Sequence, residues 1–333
     1  MACLPSQILM VKPKQAVGLG KNNPTRTIMV VSRYRVSPRT FTRLALAALL
    51  AQIFIIITGA SVRLTGSGLG CSDWPKCEEN QLIAPLEYHA MIEFLNRLVT
   101  GFVSLTVIAV LVGAYLRTRR RSDLTWLSWG LVGGVIGQIF LGGLTVIFHL
   151  NPPLVIAHFL LSMLLVWDAF VLWERSKTDS SPSFSVVTKN VRTVGRIVFV
   201  LSTLVIFSGT IVTGAGPHGG DETVKRLQFN LEDVTRVHSV LVWTMLLFTV
   251  ITMVLLRRNG GPPVVQQRLT LLIAAIVFQG AIGYWQFFTD VPPWLVIIHI
   301  GGAIAVWTAV LALKLSFTAR PAEAEQQTEL IRQ

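Results

Sequence analysis

Apolar residues along this chain come in blocks of roughly twenty, long enough at ~1.5 Å per helical residue to cross a hydrocarbon layer of about 30 Å. Eight blocks stand out, near 41–60, 92–116, 124–147, 154–173, 193–213, 234–256, 269–288 and 294–314. Polar, Pro- or Gly-bearing segments separate them, so the pattern predicts eight transmembrane α-helices. The pattern is also written twice. Asn151 to Trp167 reads NPPLVIAHFLLSMLLVW, and Val291 to Trp307 reads VPPWLVIIHIGGAIAVW. In each, two prolines open an apolar run, a histidine follows one to two turns in, and a tryptophan comes near the end. A weaker pair is IIITGASVRLTGSGLG (Ile55 to Gly70) against LVIFSGTIVTGAGPHGG (Leu204 to Gly220). The predicted fold class is an all-α integral membrane protein of two pseudo-symmetric four-helix bundles.

Composition agrees: 52% of residues are hydrophobic and 14% charged, against ~25% charged in soluble domains. The net charge of +12 suggests nucleic acid until its placement is read. Of 29 Lys and Arg, 22 lie in segments on one side of an eight-span topology: 1–43, 117–121, 174–192, 257–268 and the C-terminal tail. The opposite loops carry only Arg63, Lys76, Lys225, Arg226 and Arg236. By the positive-inside rule both termini are expected in the cytoplasm of a cell (plasma) membrane protein, with no nucleic-acid partner. The chain divides into a cytoplasmic tail (1–40, with Met29 an alternative start), a first half (41–175), a cytoplasmic linker (176–192), a second half (193–315) and a C-terminal tail (316–333). Each half holds an even number of spans, so the repeat is expected to be parallel, about an axis along the membrane normal.

Candidate chemistry gathers at the outer side. Cys71 and Cys77 bracket SDWPK in the first external loop, where a structural disulfide is the first expectation and a redox-active pair the alternative. Cys3 lies in the tail. His158 and His299 sit below the external prolines of spans four and eight, His238 just inside span six, and His89 at the mouth of span two; His149 and His218 belong to external loops. Histidine inside a membrane span is costly and marks function. Zinc wants three or four converging ligands. Paired imidazoles on facing Gly-rich helices suit haem better, with Gly133, Gly134, Gly137, Gly142, Gly143, Gly280 and Gly283 letting a flat ring approach.

The halves are not chemically equal. His238 precedes His299 by 61 residues, and a similar step back from His158 lands on Asn96, a poor iron ligand. His89, Glu93 and Asn96 share one helical face. Either His89 substitutes from a turn or two above, or iron in the first half has one firm ligand, His158. Glu93, a carboxylate just inside a span, is the candidate catalytic residue as a proton-handling acid; the blander reading, an ion pair with Arg97, is compatible with that role. Asp168 is expected to pack or to snorkel towards the cytoplasm. Arg63, Lys76 and Arg226 are candidate partners for haem propionates, or surface charge.

These residues resemble the haem A synthase family. The likeness rests on TGASVRLTGSGLGCSDWPKC (Thr58 to Cys77), IEFLNR (Ile92 to Arg97), TGAGPHGGD (Thr213 to Asp221) and the two histidine-bearing spans, and covers about 41 to 315. Members are eight-span membrane proteins that oxidise the C8 methyl of haem O to the formyl group of haem A for cytochrome oxidase assembly. The resemblance implies that His238 and His299 are axial ligands of a bound haem b, that His158 is a ligand at the haem O substrate site, that Glu93 is catalytic, and that Cys71 and Cys77 are the external cysteine pair. The family's usual histidine three residues after that glutamate is Asn96 here; His89, four residues before it, matches the histidine some members carry. Successive hydroxylations followed by loss of water from the gem-diol would give the aldehyde, with haem b relaying electrons to or from a quinone or other carrier. Implied partners are haem O and the enzyme that makes it, the oxidase assembly machinery and the lipid bilayer, and a homo-oligomer is allowed. Two other readings stay open: a di-haem membrane cytochrome b acting as a quinone oxidoreductase, and a non-enzymatic haem carrier.

Overall fold

A computed structural model describes residues 35–71, 73–77, 83–178 and 180–321. Cys3, Met29 and most of the two predicted tails lie outside the described residues. Eight long helices follow in order: α1 (Pro38–Leu64), α2 (Tyr88–Leu116), α3 (Ser122–Ile147), α4 (Pro152–Ser176), α5 (Lys189–Ala215), α6 (Leu231–Arg258), α7 (Pro263–Phe288) and α8 (Pro293–Ser316). Each is long and apolar enough to cross a membrane. All eight contain the predicted blocks and run two to six residues beyond them at one or both ends, because the caps are polar and escape a hydropathy window. Ser37 caps α1 by accepting the Thr40 N–H at 3.1 Å, with Pro38 at the first helical position. Asn230 caps α6 through the N–H groups of Glu232 and Asp233, and Arg257 and Arg258 close its last turn, so both ends suit the helix dipole.

Within the first half α1 packs on α2, α2 on α3, α3 on α4 and α4 on α1. The second half repeats this ring: α5 on α6, α6 on α7, α7 on α8 and α8 on α5. The halves meet through α1, α4, α5 and α8, and Val36 onward forms one compact unit. The apolar core of the first half takes in Ile304, Trp307, Leu311 and Ala312 of α8. There Trp307 Nε1 donates to the Met163 carbonyl of α4 at 3.0 Å, satisfying a buried donor across the seam between halves. Large apolar side chains such as Leu105, Phe140, Leu247 and Phe278 point outward, as a lipid-facing surface requires.

The connections α1–α2, α3–α4, α5–α6 and α7–α8 interlock at one end, here the histidine face. The Gly68 N–H donates to Gly220 O at 2.8 Å and His218 Nε2 to Val291 O at 2.9 Å. The opposite, basic face ties the linker to the segment that follows α8: β1 (Phe184–Ser185) pairs antiparallel with β2 (Thr318–Ala319).

Candidate functional site

The structure sharpens the internal repeat. Pro152 and Pro293 both occupy the first position of their helices, so His158 and His299 each stand six residues into α4 and α8. The paired prolines are therefore shifted by one between copies, and the helix start is the true register mark. Both preceding turns use two consecutive left-handed residues, His149–Leu150 and Asp290–Val291. Leu150 and Val291 each send an N–H back five residues, to Thr145 O at 2.7 Å and Gln286 O at 2.9 Å. Identical turns place the two histidines identically.

Each of these imidazoles lies against a glycine on the neighbouring helix. A Cβ on Gly142 would meet His158 Cε1 at 3.3 Å, and one on Gly283 would meet His299 Cε1 at 3.1 Å. A glutamine one turn away locks each backbone: Gln138 Nε2 donates to His158 O at 3.1 Å, and Gln279 Nε2 to His299 O at 2.7 Å. The sequence reading missed both glutamines, although a repeated Gln-x-x-x-Gly ahead of each proline pair was visible. His158 Nδ1 and His299 Nδ1 are buried with no hydrogen-bond partner among the described residues. Of the other glycines expected to open the bundle, Gly134 and Gly137 pack against Leu165 and Leu161, and a Cβ on Gly133 or Gly280 would meet nothing within 4 Å.

His238 sits on α6 against α5. Its Nδ1 is 2.9 Å from Ser208 Oγ, and a Cβ on Gly209 would meet its Cε1 at 3.2 Å. A groove of about 340 Å³ between α5 and α6, lined by Leu204, Phe207, Ser208, Val234, Val237 and Leu241, shares Ser208 with His238. The first half reproduces the arrangement with different atoms. Thr58 and Gly59 take the place of Ser208 and Gly209, and Thr58 Oγ1 donates to Asn96 Oδ1 at 2.8 Å. A Cβ on Gly59 would meet nothing within 4 Å, so the space filled by imidazole in the second half is open in the first. Serine or threonine oxygens that orient the inner ring nitrogen leave the other nitrogen for a metal. His89 has such a partner too, with Nδ1 2.9 Å from Ser67 Oγ, but it is exposed, in the first turn of α2. Asp221 of the α5–α6 loop, held below the ordinary carboxylate range mainly by Thr223, also feels His89 and His149.

Glu93 is buried and has three donors. Arg97 reaches Oε1 at 2.5 and 3.2 Å, and the Cys71 N–H reaches Oε2 at 2.9 Å. Arg97 in turn donates to the carbonyls of Asp73, Pro75 and Lys76 at 3.1, 3.3 and 2.8 Å. The spacing-based ion pair is formed, and it clamps the loop closed by the Cys71–Cys77 disulfide onto α2. Arg63 and Arg226 are not surface charge: both donate to carbonyls at the end of α5, including Thr213 O. Lys76 lies in the disulfide loop. Asp168 packs against Gly130 of α3, its Oδ1 buried and without a hydrogen-bond partner among the described residues.

Buried unpartnered imidazole nitrogens beside glycine cradles fit an iron porphyrin. No group of three or more His, Cys, Asp or Glu gathers to hold a metal ion among the described residues. His238 and His299 would hold such a group in the second half, and His158 in the first.

The family model described as "Cytochrome oxidase assembly protein" (COX15-CtaA) matches residues 42–311. Curated relatives include the "Heme A synthase" of Shouchella clausii, 30% identical over 176 residues, covering 51% of this chain and 58% of the relative. That of Lysinibacillus sphaericus is 28% identical over 174 residues (50% and 56%), and that of Bacillus licheniformis 26% over 175 (51% and 57%). The matched region thus spans somewhat over half the length of these relatives. With all eight spans but the outermost turns of the first and last inside the family match, the chain belongs to the cytochrome oxidase assembly protein family.

Proposed function

We propose that this chain is a haem A synthase, a membrane oxidoreductase that converts the C8 methyl of haem O to the formyl group of haem A. Its first half takes the substrate and its second half holds a resident haem b that relays electrons. The observation that carries this reading is the inequality of two otherwise matched sites. The second half offers two imidazoles, His299, held by Gln279, and His238, oriented by Ser208. The first sets Asn96, oriented by Thr58, where that second imidazole would be. Two firm imidazoles retain a group; one imidazole beside an open space permits exchange and chemistry.

Bound iron porphyrin supplies the redox chemistry, tuned by axial ligands, hydrogen bonds and burial. The chain's own residues do the rest. His158 anchors the substrate, and His89 on its Ser67 hinge is the exchangeable partner from the loop side. Glu93, fixed by Arg97 and the Cys71 N–H, takes the proton of one hydroxyl of the twice-hydroxylated carbon at Oε2 and returns it to the other, which departs as water and leaves the aldehyde. A carboxylate held in place this firmly loses little to reorganisation when it acts. The basic face is taken as cytoplasmic, which sets both haem sites towards the outer surface. A quinone or other carrier exchanges the electrons, and the synthase that makes haem O supplies the substrate.

One measurement tests the whole reading: extraction and mass identification of the haems from purified protein. Haem b together with haem O or haem A is expected. Haem b in both halves, chemically unaltered, would support a di-haem cytochrome instead, and a colourless protein after growth with ample haem would refute every haem-based reading.

A further inference from the structure

The two halves also differ on their outer, lipid-facing seams. Between α6 and α7, the Tyr284 hydroxyl joins Ser239 Oγ at 2.8 Å and Trp243 Nε1 at 3.0 Å, bolting the two helices together near the histidine face. In the register set by Asn96 with His238, and by Gly142 with Gly283, the matching first-half residues are Arg97 for Ser239, Gly101 for Trp243 and Gly143 for Tyr284. The bolt is absent from the α2–α3 seam. A Cβ on Gly101 would meet nothing within 4 Å, and Arg97 is turned up into the disulfide loop. Gly143 is covered by that loop: a Cβ there would meet the Trp74 indole at 2.9 Å. The first half is tied instead at the basic end, where Trp129 Nε1 of α3 donates to the Tyr115 hydroxyl of α2 at 3.0 Å.

Small residues alone make no site. Here a second observation points to a ligand: Gly142, next to Gly143, is the surface against which His158 lies, and His158 Nδ1 is buried with no hydrogen-bond partner among the described residues. We propose that the α2–α3 seam, hinged by Tyr115–Trp129, left open at Gly101 and flapped by Trp74 over Gly143, is the lateral door through which the first half's flat, apolar porphyrin substrate passes to and from the bilayer. The inference rests on the first half being the substrate site. It follows from the substrate's chemistry: a tetrapyrrole with a long apolar tail partitions into lipid and reaches a membrane site sideways at less cost than through water. A resident cofactor needs no such door, and the seam beside His299 is bolted.

The test uses full-length protein in lipid nanodiscs, with haem O as the probe and uptake and release followed by absorbance and by mass of bound haem. G101W, which projects into open space, should slow uptake into the first half by at least about tenfold. W74A should speed release by a similar factor, and both should leave second-half haem content unchanged. Rates unaffected by either variant would overturn the lateral route and favour passage through the loops. Wild-type protein that takes up no haem in the first half would overturn the proposed function, and the door with it.

Discussion

Consider replacing Asn96 by histidine and Gly59 by alanine, singly and together. In the second half the equivalent imidazole presses on the α5 backbone, with His238 Cε1 3.2 Å from where a Gly209 Cβ would be; at Gly59 nothing lies within 4 Å. Gly59→Ala alone should therefore cost nothing sterically and, through helix propensity, stabilise by up to about 1 kcal/mol. Asn96→His exchanges one neutral hydrogen bond, to Thr58, for another, and should stay within about 1 kcal/mol of wild type. Together the new ring meets the new methyl as it would in Gly209→Ala, so the double variant should show an unfavourable coupling of about 1–3 kcal/mol. Equilibrium unfolding of haem-free protein in mixed micelles measures the cycle, with Gly209→Ala as the reference for a filled site. With haem restored, Asn96→His should give the first half a bis-imidazole, low-spin spectrum. Gly59→Ala as damaging as Gly209→Ala, or an additive cycle, would refute the claim that this space is open in the first half.

Other outcomes follow from the same contacts. His299→Ala should remove the second-half haem spectrum while His158→Ala spares it, which difference spectra of purified variants would show. Glu93→Gln keeps an acceptor for Cys71 but strips Arg97 of its anion; product formation should fall at least about a hundredfold while second-half haem stays, measured by haem extraction, and wild-type haem A levels would remove Glu93 from its role. Paired Cys71→Ser and Cys77→Ser should loosen the loop that Arg97 grips and cost about 2 kcal/mol, visible as a lowered thermal midpoint under non-reducing conditions only. Trp307→Phe leaves the bulk of the ring but not its bond to Met163 O, and should cost about 1 kcal/mol and weaken the contact between halves.

Much of the architecture could be read directly from residues. Twenty-residue apolar blocks can satisfy their backbone in lipid only as helices, so eight spans follow from hydropathy. The ion pair of Glu93 with Arg97 follows from i,i+4 spacing. Gln138 and Gln279 escaped because a lone glutamine in a span carries no signal until its donor is seen on a histidine carbonyl one helix away. Arg63 and Arg226 looked like surface charge or propionate partners, but only the folded loops bring the α5 carbonyls to them.

What sequence determined alone is the eight apolar spans, the doubled pattern and the chemical inequality of Asn96 and His238, because periodicity, composition and residue type are local properties. What tertiary structure decided is which atoms meet. The common helix start at Pro152 and Pro293, the open space beside Asn96, and the bolt at Tyr284 set against the flap at Trp74 all depend on side chains from different helices converging. Those distances are fixed by packing between segments far apart in the chain, and no pattern within one segment encodes them.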